Sequence, residues 1–330
     1  MSADLGVGID IGGTKIAGGL VTSEGRLVES RSVPTPQDAR KIATAVAGLV
    51  DGLCAGHSRE GTIGGIGVGA AGFVSADRST VTFAPNIDWR DEPLGRDIAE
   101  LTGRAVVVEN DANAAAWGEF RFGAGSDTDD LLLVTVGTGV GGGVVHRGAL
   151  LRGGFGAAGE IGHLRLVRQG RLCGCGQHGC FEQYASGSAL EADARTAVAQ
   201  GDTAARPLLE RAGGAVGITG PMVTELAQGG DPLATELLAR LGRWLGEGCA
   251  DLATVLDPSV IAIGGGVGAA GDLLMEPVRA SFLEHLPAST HRGIADIRLA
   301  TLGQGAGLVG AADLGRIATT AGTRAAPVDR

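Results

Sequence analysis

Three of the five cysteines in this 330-residue chain crowd into eight residues, ten positions behind a histidine. They are Cys173, Cys175 and Cys180, separated largely by glycines, and the histidine is His163. Thiolates at this spacing can converge on one ion together with an imidazole nitrogen, and a tetrahedral Cys3His set favours zinc. The alternatives are unrelated buried thiols or a disulfide loop, against which the odd cysteine count and the lack of a signal peptide argue. Four protein ligands leave no position open for water, so the pattern predicts a structural zinc.

Two acidic residues flank this cluster in sequence. Glu160 lies three residues before His163, and Glu182 lies two residues after Cys180. The predicted ion would therefore fix both carboxylates while leaving them free to face a ligand. An ionised carboxylate offers only acceptor sites, and every hydroxyl of a polyol is a donor, so the two residues suit a sugar.

Two glycine- and threonine-rich turns, each between two strands, occur in the two halves of the chain. A strand at 5–11 breaks at Gly12 and resumes to residue 21, and the segment 131–145 repeats this pattern around Gly137. Glycine lets backbone N–H groups approach an anion closely, and a hydroxyl or lysine adds to the attraction. A Gly-Gly turn alone is most often only a turn, but its repetition predicts a duplicated chain that clamps a polyphosphate. The expected phosphate contacts are Gly12, Gly13, Thr14, Lys15, Gly137, Thr138 and Gly139.

The segments between and after these turns predict an α/β fold. Expected elements are a helix at 36–53, strands at 63–69, 81–83 and 105–109, helices at 112–120 and from 231, a strand at 260–263 and a helix at 307–317. Asp111 follows the strand at 105–109, where α/β proteins place reactive groups, but an aspartate there is equally a helix N-cap. Gly265 and Gly266 follow the strand at 260–263, and their backbone can approach a nucleoside.

Composition narrows the functional classes. The hydrophobic content of 44 % is enough for a sizeable core, built from aliphatic residues because aromatic ones make up only 3 %. The net charge of −10 and the absence of a basic stripe argue against nucleic-acid binding. No apolar run approaches the roughly 20 residues of a membrane span. We therefore expect a cytoplasmic protein with no membrane partner.

Four motifs occur in an order that resembles the ROK family of repressors and sugar kinases. They are Asp10-Ile11-Gly12-Gly13-Thr14-Lys15, Glu109-Asn110-Asp111-Ala112, Glu160-Ile161-Gly162-His163 and the cysteine cluster through Glu182. The resemblance implies an actin-like or hexokinase-like duplicated α/β fold, with two domains and a ligand cleft between them. The implied parts are a small domain at 1–118 on which a helix at about 305–318 packs back, a larger zinc-carrying domain at 119–304, and a disordered tail at 319–330.

The same resemblance implies that the protein transfers the γ-phosphate of ATP to the 6-hydroxyl of glucose. Asp111 would be the general base, Asp10 would lie beside Mg²⁺, and the glycine turns with Gly265 and Gly266 would bind ATP. The implied sugar contacts are Gly72, Asn86, Asn110, Asp111, Glu160, His163 and Glu182, with His163 also on zinc through its other ring nitrogen. The resemblance also implies an assembly of two or four copies.

Several alternatives stay open at the level of sequence. The sugar could be glucosamine, N-acetylglucosamine, mannose or fructose, and polyphosphate could replace ATP as the donor. A non-catalytic sugar sensor is the rival from another class, although such a protein could dispense with Asp111.

Overall fold

The computed structural model describes residues 5–55, 57, 63–84 and 87–322. Contacts between Cα atoms divide the chain into two compact units. The first comprises residues 1–129, 143–159 and 302–330, and the second comprises residues 130–142 and 160–301. Within the described ranges, no helix is both long enough and apolar enough to cross a membrane.

Thirteen strands and ten α-helices make up the described chain. The strands are β1 (Leu5–Ile11), β2 (Lys15–Thr22), β3 (Leu27–Pro34), β4 (Ile63–Ala70), β5 (Phe73–Val74), β6 (Val81–Ala84), β7 (Trp89–Glu92), β8 (Val106–Asn110), β9 (Leu131–Val136), β10 (Val140–His146), β11 (Ala149–Leu150), β12 (Val260–Gly264) and β13 (Asp296–Leu299). The helices are α1 (Ile42–Ala55), α2 (Leu94–Thr102), α3 (Asp111–Phe122), α4 (Glu182–Ala185), α5 (Gly187–Ala199), α6 (Arg206–Ala212), α7 (Gly220–Gln228), α8 (Pro232–Leu256), α9 (Asp272–His285) and α10 (Ala306–Gly322).

Two five-stranded sheets share one topology. The first has the order β3-β2-β1-β4-β8, and the second has the order β11-β10-β9-β12-β13. In the first sheet the antiparallel hairpin of β1 and β2 precedes β4 and β8, which run parallel to β1. In the second sheet β12 and β13 run parallel to β9, and β10 pairs antiparallel with β11. This correspondence confirms the predicted duplication and α/β fold. A third, smaller sheet of β5, β6 and β7 is present in addition to these two five-stranded sheets.

Glycines allow a helix to lie directly on the first sheet. A Cβ atom at Gly67 would come within 1.7 Å of the carbonyl oxygen of Ala311 in α10, and one at Gly8 within 2.1 Å of that of Leu308. Only glycine tolerates such close approach of two backbones. On the opposite face of the sheet, aliphatic residues such as Ile9 of β1 and Leu53 of α1 are fully buried in the core. Both faces are thereby covered, as parallel strands require.

Helices α3 and α10 pack closely within the first unit. A Cβ atom at Gly118 would meet the carbonyl oxygen of Ala306 at 2.5 Å, and the indole N–H of Trp117 donates to Asp313 at 2.9 Å. The predicted boundary at residue 118 thus falls inside α3, and the structure divides the chain after residue 129 instead. Helix α10 also continues to Gly322, since Thr319–Ala321 contain no helix breaker. Residues 323–330 of the predicted tail lie outside the described residues.

Candidate functional site

The carboxyl ends of β1, β4 and β8 bring the first group of candidate residues together. In the parallel register, Asp10 pairs with Gly69, and Ala70 pairs with Asn110. Asn110 is the N-cap of α3, because its side-chain oxygen accepts a hydrogen bond from the Asn113 N–H at 3.0 Å. Asp111 is the first residue of the helix, so its interpretation as the cap is wrong. The carboxylate of Asp111 therefore does not serve as the N-cap acceptor of α3.

Gly72 adjoins this group. Its carbonyl oxygen accepts a hydrogen bond from the Asn110 side-chain amide at 3.1 Å. Its φ of 141° lies where L side chains are rare, and a Cβ atom there would meet the Phe83 carbonyl oxygen at 2.4 Å. Glycine is therefore required at this position for the loop to reach Asn110. Asn86 lies outside the described residues.

Burial shifts the titration of both carboxyl groups at the strand ends. The pKa of Asp111 is raised by loss of water around the carboxylate, which outweighs the hydrogen bond from the Ala112 N–H at 2.9 Å. The pKa of Asp10 is raised first by burial and then by the negative charge of Asp111, while Lys15 opposes the shift. The two acids therefore lie close enough to interact. A raised pKa makes a carboxylate a stronger base, and a pair of acids attracts a cation.

The turn between β1 and β2 is held from one side by Thr35. Its N–H donates to the Thr14 carbonyl oxygen at 3.0 Å, and its hydroxyl donates to the Gly12 carbonyl oxygen at 2.7 Å. The tip of the turn, at Gly13, Thr14 and Lys15, is exposed. No atom lies within 4 Å of a Cβ atom built at Gly13. The turn thus presents free space beside its backbone, as binding of an anion would require.

The second glycine turn is held by the start of α5. The Gly187 N–H donates to the Gly137 carbonyl oxygen at 2.8 Å, and a Cβ atom at Gly187 would clash with that oxygen at 2.7 Å. Gly265 has φ 88°, and its backbone lies against Val136 at the end of β9. Close packing of three backbone segments therefore shapes this turn.

A cavity of about 450 Å³ opens beside the second turn. Gly137, Thr138 and Gly266, three of the residues that the sequence assigns to ATP binding, line it, whereas Gly265 supports the turn from behind. Further walls come from α5 and α7, including Glu191, Thr224 and Gln228. Sequence reasoning missed these helical residues because no local motif marks them.

The predicted zinc ligands converge. The ligand atoms of His163, Cys173, Cys175 and Cys180 all lie within 4.8 Å of one another. The Cys175 and Cys180 sulfurs are 3.7 Å apart, and the Cys173 sulfur is 3.7 Å from His163 Nδ1. Tetrahedral zinc with Zn–S bonds of about 2.3 Å places its sulfur ligands about 3.8 Å apart. The residues therefore fit a zinc ion.

Glycines let the cluster fold tightly. Gly176 has φ 85° and Gly179 has φ 79°, and they close turns on either side of Gln177, whose carbonyl oxygen accepts from the Cys173 N–H at 2.8 Å. A Cβ atom at Gly162 would lie only 2.0 Å from the carbonyl oxygen of Val140. Residue 162 must be glycine for the 3-10 turn Ile161–His163 to sit against β10.

Glu182 lies between the zinc cluster and the second turn. One of its oxygens is 3.0 Å from the Cys173 sulfur and 3.9 Å from His163 Nδ1. The other is 2.8 Å from the Cβ position of Gly139. Glu160 directly precedes the 3-10 turn, and its carbonyl oxygen accepts from the His163 N–H at 3.2 Å. Both acidic residues are therefore placed by the segments that carry the zinc ligands.

The paired sheet topologies, the strand-end carboxylates and the glycine turns define a protein of the duplicated actin-like or hexokinase-like fold. The sequence matches the ROK family over residues 6–317, and the chain belongs to that family. It is 48 % identical to a glucokinase of Streptomyces coelicolor over 94 % of this chain and 98 % of the relative. It is 35 % identical to an N-acetylmannosamine kinase of Escherichia fergusonii over 92 % and 96 %. A ROK glucokinase of Streptomyces griseus, solved with glucose and AMPPNP, is 49 % identical with a TM-score of 0.84, covering 95 % of this chain and 99 % of that chain.

Proposed function

We propose that this protein is an ATP-dependent glucokinase that forms glucose 6-phosphate and ADP. The observation that carries the proposal is the buried carboxylate of Asp111, whose pKa is raised and which directly follows Asn110, the residue that donates to the Gly72 carbonyl oxygen. Its surroundings suit a base that must take a proton from an alcohol. The full-length similarity to glucokinases, one of them solved with glucose and an ATP analogue, supports glucose and ATP as the substrates.

Asp111 is the proposed general base. It accepts the proton of the glucose 6-hydroxyl as that oxygen attacks the γ-phosphorus of ATP. The bond from this phosphorus to the β-γ bridging oxygen breaks, and ADP leaves with the electron pair. Because phosphoryl transfer depends on positioning and charge neutralisation, little other covalent chemistry falls to the protein.

The glycine turns are the proposed phosphate contacts. In the first unit, Gly13, Thr14 and Lys15 at the tip of the turn are exposed, whereas the Gly12 N–H donates to the Lys15 carbonyl oxygen at 3.0 Å and so closes the turn. In the second unit, the turn at Gly137–Gly139 borders the 450 Å³ cavity through Gly137 and Thr138, and the cavity has room for a nucleoside. Asp10 is the proposed acidic neighbour of Mg²⁺, which neutralises phosphate charge when bound.

The proposed sugar contacts are residues whose polar groups can accept or donate hydrogen bonds. They are Gly72, Asn86, Asn110 and Asp111 in the first unit and Glu160, His163 and Glu182 in the second. Carboxylates accept from sugar hydroxyls, whereas the second ring nitrogen of a zinc-bound His163 carries a proton and would donate to a sugar oxygen.

A structural zinc held by His163, Cys173, Cys175 and Cys180 is the second part of the proposal. The 3.7 Å separations among these ligand atoms support it. When bound, the ion would fix the segment that leads into α4, which begins at Glu182, and the turn that follows Glu160. Metal analysis of protein purified without added metal should give about one zinc per chain; a metal-free, fully active protein would refute this part.

A panel of sugars and phosphoryl donors tests the proposed function. Sugar-dependent ADP formation is measured with glucose, mannose, fructose, glucosamine, N-acetylglucosamine and N-acetylmannosamine, and polyphosphate replaces ATP in a parallel series. We expect the highest kcat/KM with glucose and ATP. A preference for another sugar or for polyphosphate would correct the substrate, whereas sugar binding without turnover would identify a sensor and refute the enzyme.

A further inference from the structure

The carboxylate of Glu109, next to the proposed catalytic pair, is completely buried. One of its oxygens accepts hydrogen bonds from the Asn110 N–H at 3.0 Å and from the side-chain amide of Asn113 at 3.2 Å. The other forms ion pairs with Arg152 at 2.8 Å and Arg78 at 3.2 Å. A buried charge without such partners would be costly, so the two hydrogen bonds on one oxygen and the two ion pairs on the other hold the carboxylate in place.

Arg152 links this carboxylate to a second backbone segment. Its two terminal nitrogens donate to the Ala76 carbonyl oxygen at 2.8 Å and the Ser75 carbonyl oxygen at 3.0 Å, while its Nε faces Glu109. Only a planar guanidinium group offers donors in these several directions at once. Its side chain is 11 % exposed, which places the charge away from bulk water.

Arg78 fixes the same segment to β8. It has φ 61° in the turn that follows β5, and its carbonyl oxygen accepts from the Val108 N–H at 2.9 Å. Its N–H donates in turn to the Ser75 carbonyl oxygen at 3.0 Å. The turn, the end of β8 and Arg152 therefore form one connected network around Glu109.

The network ends on the residues proposed to bind and activate the sugar. Glu109 holds the Asn110 N–H and the Asn113 side chain, and Asn110 in turn caps α3 through the Asn113 N–H. Asp111 is the next residue, at the first position of that helix. A shift of Glu109 would thus move the N-cap and, with it, the proposed base.

We propose that Glu109 and Arg152 are positioning residues, which fix Asn110 and Asp111 for proton transfer without touching the substrate. The proposal rests on the proposed function. Removing one partner of the network should allow the first turn of α3 to shift, and a displacement of about 1 Å at such a site can reduce the rate on the order of 10²-fold.

Arg152→Met is the main variant, because it keeps the length of the side chain and removes the donors. Arg121→Met is the matched control. Arg121 lies at the C-terminal end of α3, and its side chain pairs at 3.0 Å with the buried Asp313 of α10. Both variants remove one cation from a buried carboxylate, so both should lower Tm. Only Arg152→Met should reduce kcat, by about 10- to 100-fold, with the KM for ATP unchanged. Arg152→Lys should recover part of the lost kcat because it retains a cation beside Glu109.

A double-mutant cycle separates positioning from general loss of stability. If Arg152 acts through Asp111, Arg152→Met should cause no further loss of kcat in an Asp111→Asn background. Equal kcat values for Arg152→Met and the wild type, or equal losses in Arg152→Met and Arg121→Met, would overturn the inference. So would a full additional loss in the Asp111→Asn background. A wild-type protein that makes no glucose 6-phosphate would refute the proposed function and this inference with it, whereas the preceding outcomes refute the inference alone.

Discussion

Gly162→Ala should impair sugar recognition severely, although it adds only one methyl group. The new Cβ atom would lie 2.0 Å from the carbonyl oxygen of Val140 and 3.1 Å from its carbonyl carbon. Both are backbone atoms of β10, so the 3-10 turn Ile161–His163 must move by more than about 1 Å to reach an ordinary contact distance. His163 and the adjoining Glu160 would move with it. A displacement of this size can cost on the order of 10²-fold in rate.

The measurement is kcat/KM for glucose together with glucose affinity by calorimetry and zinc content by metal analysis. We expect kcat/KM to fall about 10²-fold, glucose affinity to fall, and zinc to be lost more readily to a chelator. ATP affinity should stay near the wild-type value. Gly174→Ala is the matched control inside the cysteine cluster, because a Cβ atom at that position meets nothing within 4 Å. Normal glucose affinity and zinc retention in Gly162→Ala would refute the reasoning.

Three further predictions concern the base and the phosphate turn. Asp111→Asn should lower kcat by about 10²–10⁴-fold with glucose affinity retained in calorimetry; near-normal turnover would exclude Asp111 as the base. Because burial raises the pKa of Asp111 above its ordinary value of 3.8 and the base must be ionised, kcat/KM should fall as the pH drops through this raised pKa. That acid limb should be measurable in the wild type and missing in Asp111→Asn. Gly137→Val should raise the KM for ATP and leave Tm and glucose affinity unchanged, because nothing lies within 4 Å of the new Cβ atom; a parallel loss of both affinities would instead indicate misfolding.

Sequence patterns predicted the elements that carry function more accurately than those that surround it. The strands before both glycine turns, the buried strand β12 and the long helix α8 lie where hydrophobic periodicity placed them. Continuous aliphatic runs such as residues 131–134 are buried throughout and leave little choice of structure. The convergence of the four metal ligands also followed from their spacing.

Elements without a clear apolar pattern were missed or misplaced. Strand β3 has mostly exposed or half-buried residues, so its pairing with β2 has no alternating signature in the sequence. Helix α1 begins at Ile42 rather than near Pro36, because Asp38 instead caps a short 3-10 turn at Ala39–Lys41. In both places, contacts distant in sequence or local capping decide the structure.

The supporting residues around Asp111 could not be predicted from sequence. Glu109 belongs to a recognised motif, but its partner Arg152 is 43 positions away and lies in an unremarkable glycine-rich segment. Only tertiary structure brings the two together. The same applies to α5 and α7 at the cavity, since their cavity-lining residues carry no motif of their own.

The most direct measurement is product analysis by phosphorus and carbon NMR after incubation of the purified protein with glucose, ATP and Mg²⁺. The proposed function predicts glucose 6-phosphate and ADP in equal amounts, with product formation reduced about 10²–10⁴-fold in the Asp111→Asn protein. Phosphate on any hydroxyl other than that at carbon 6, or no phosphorylated sugar at all, would contradict it.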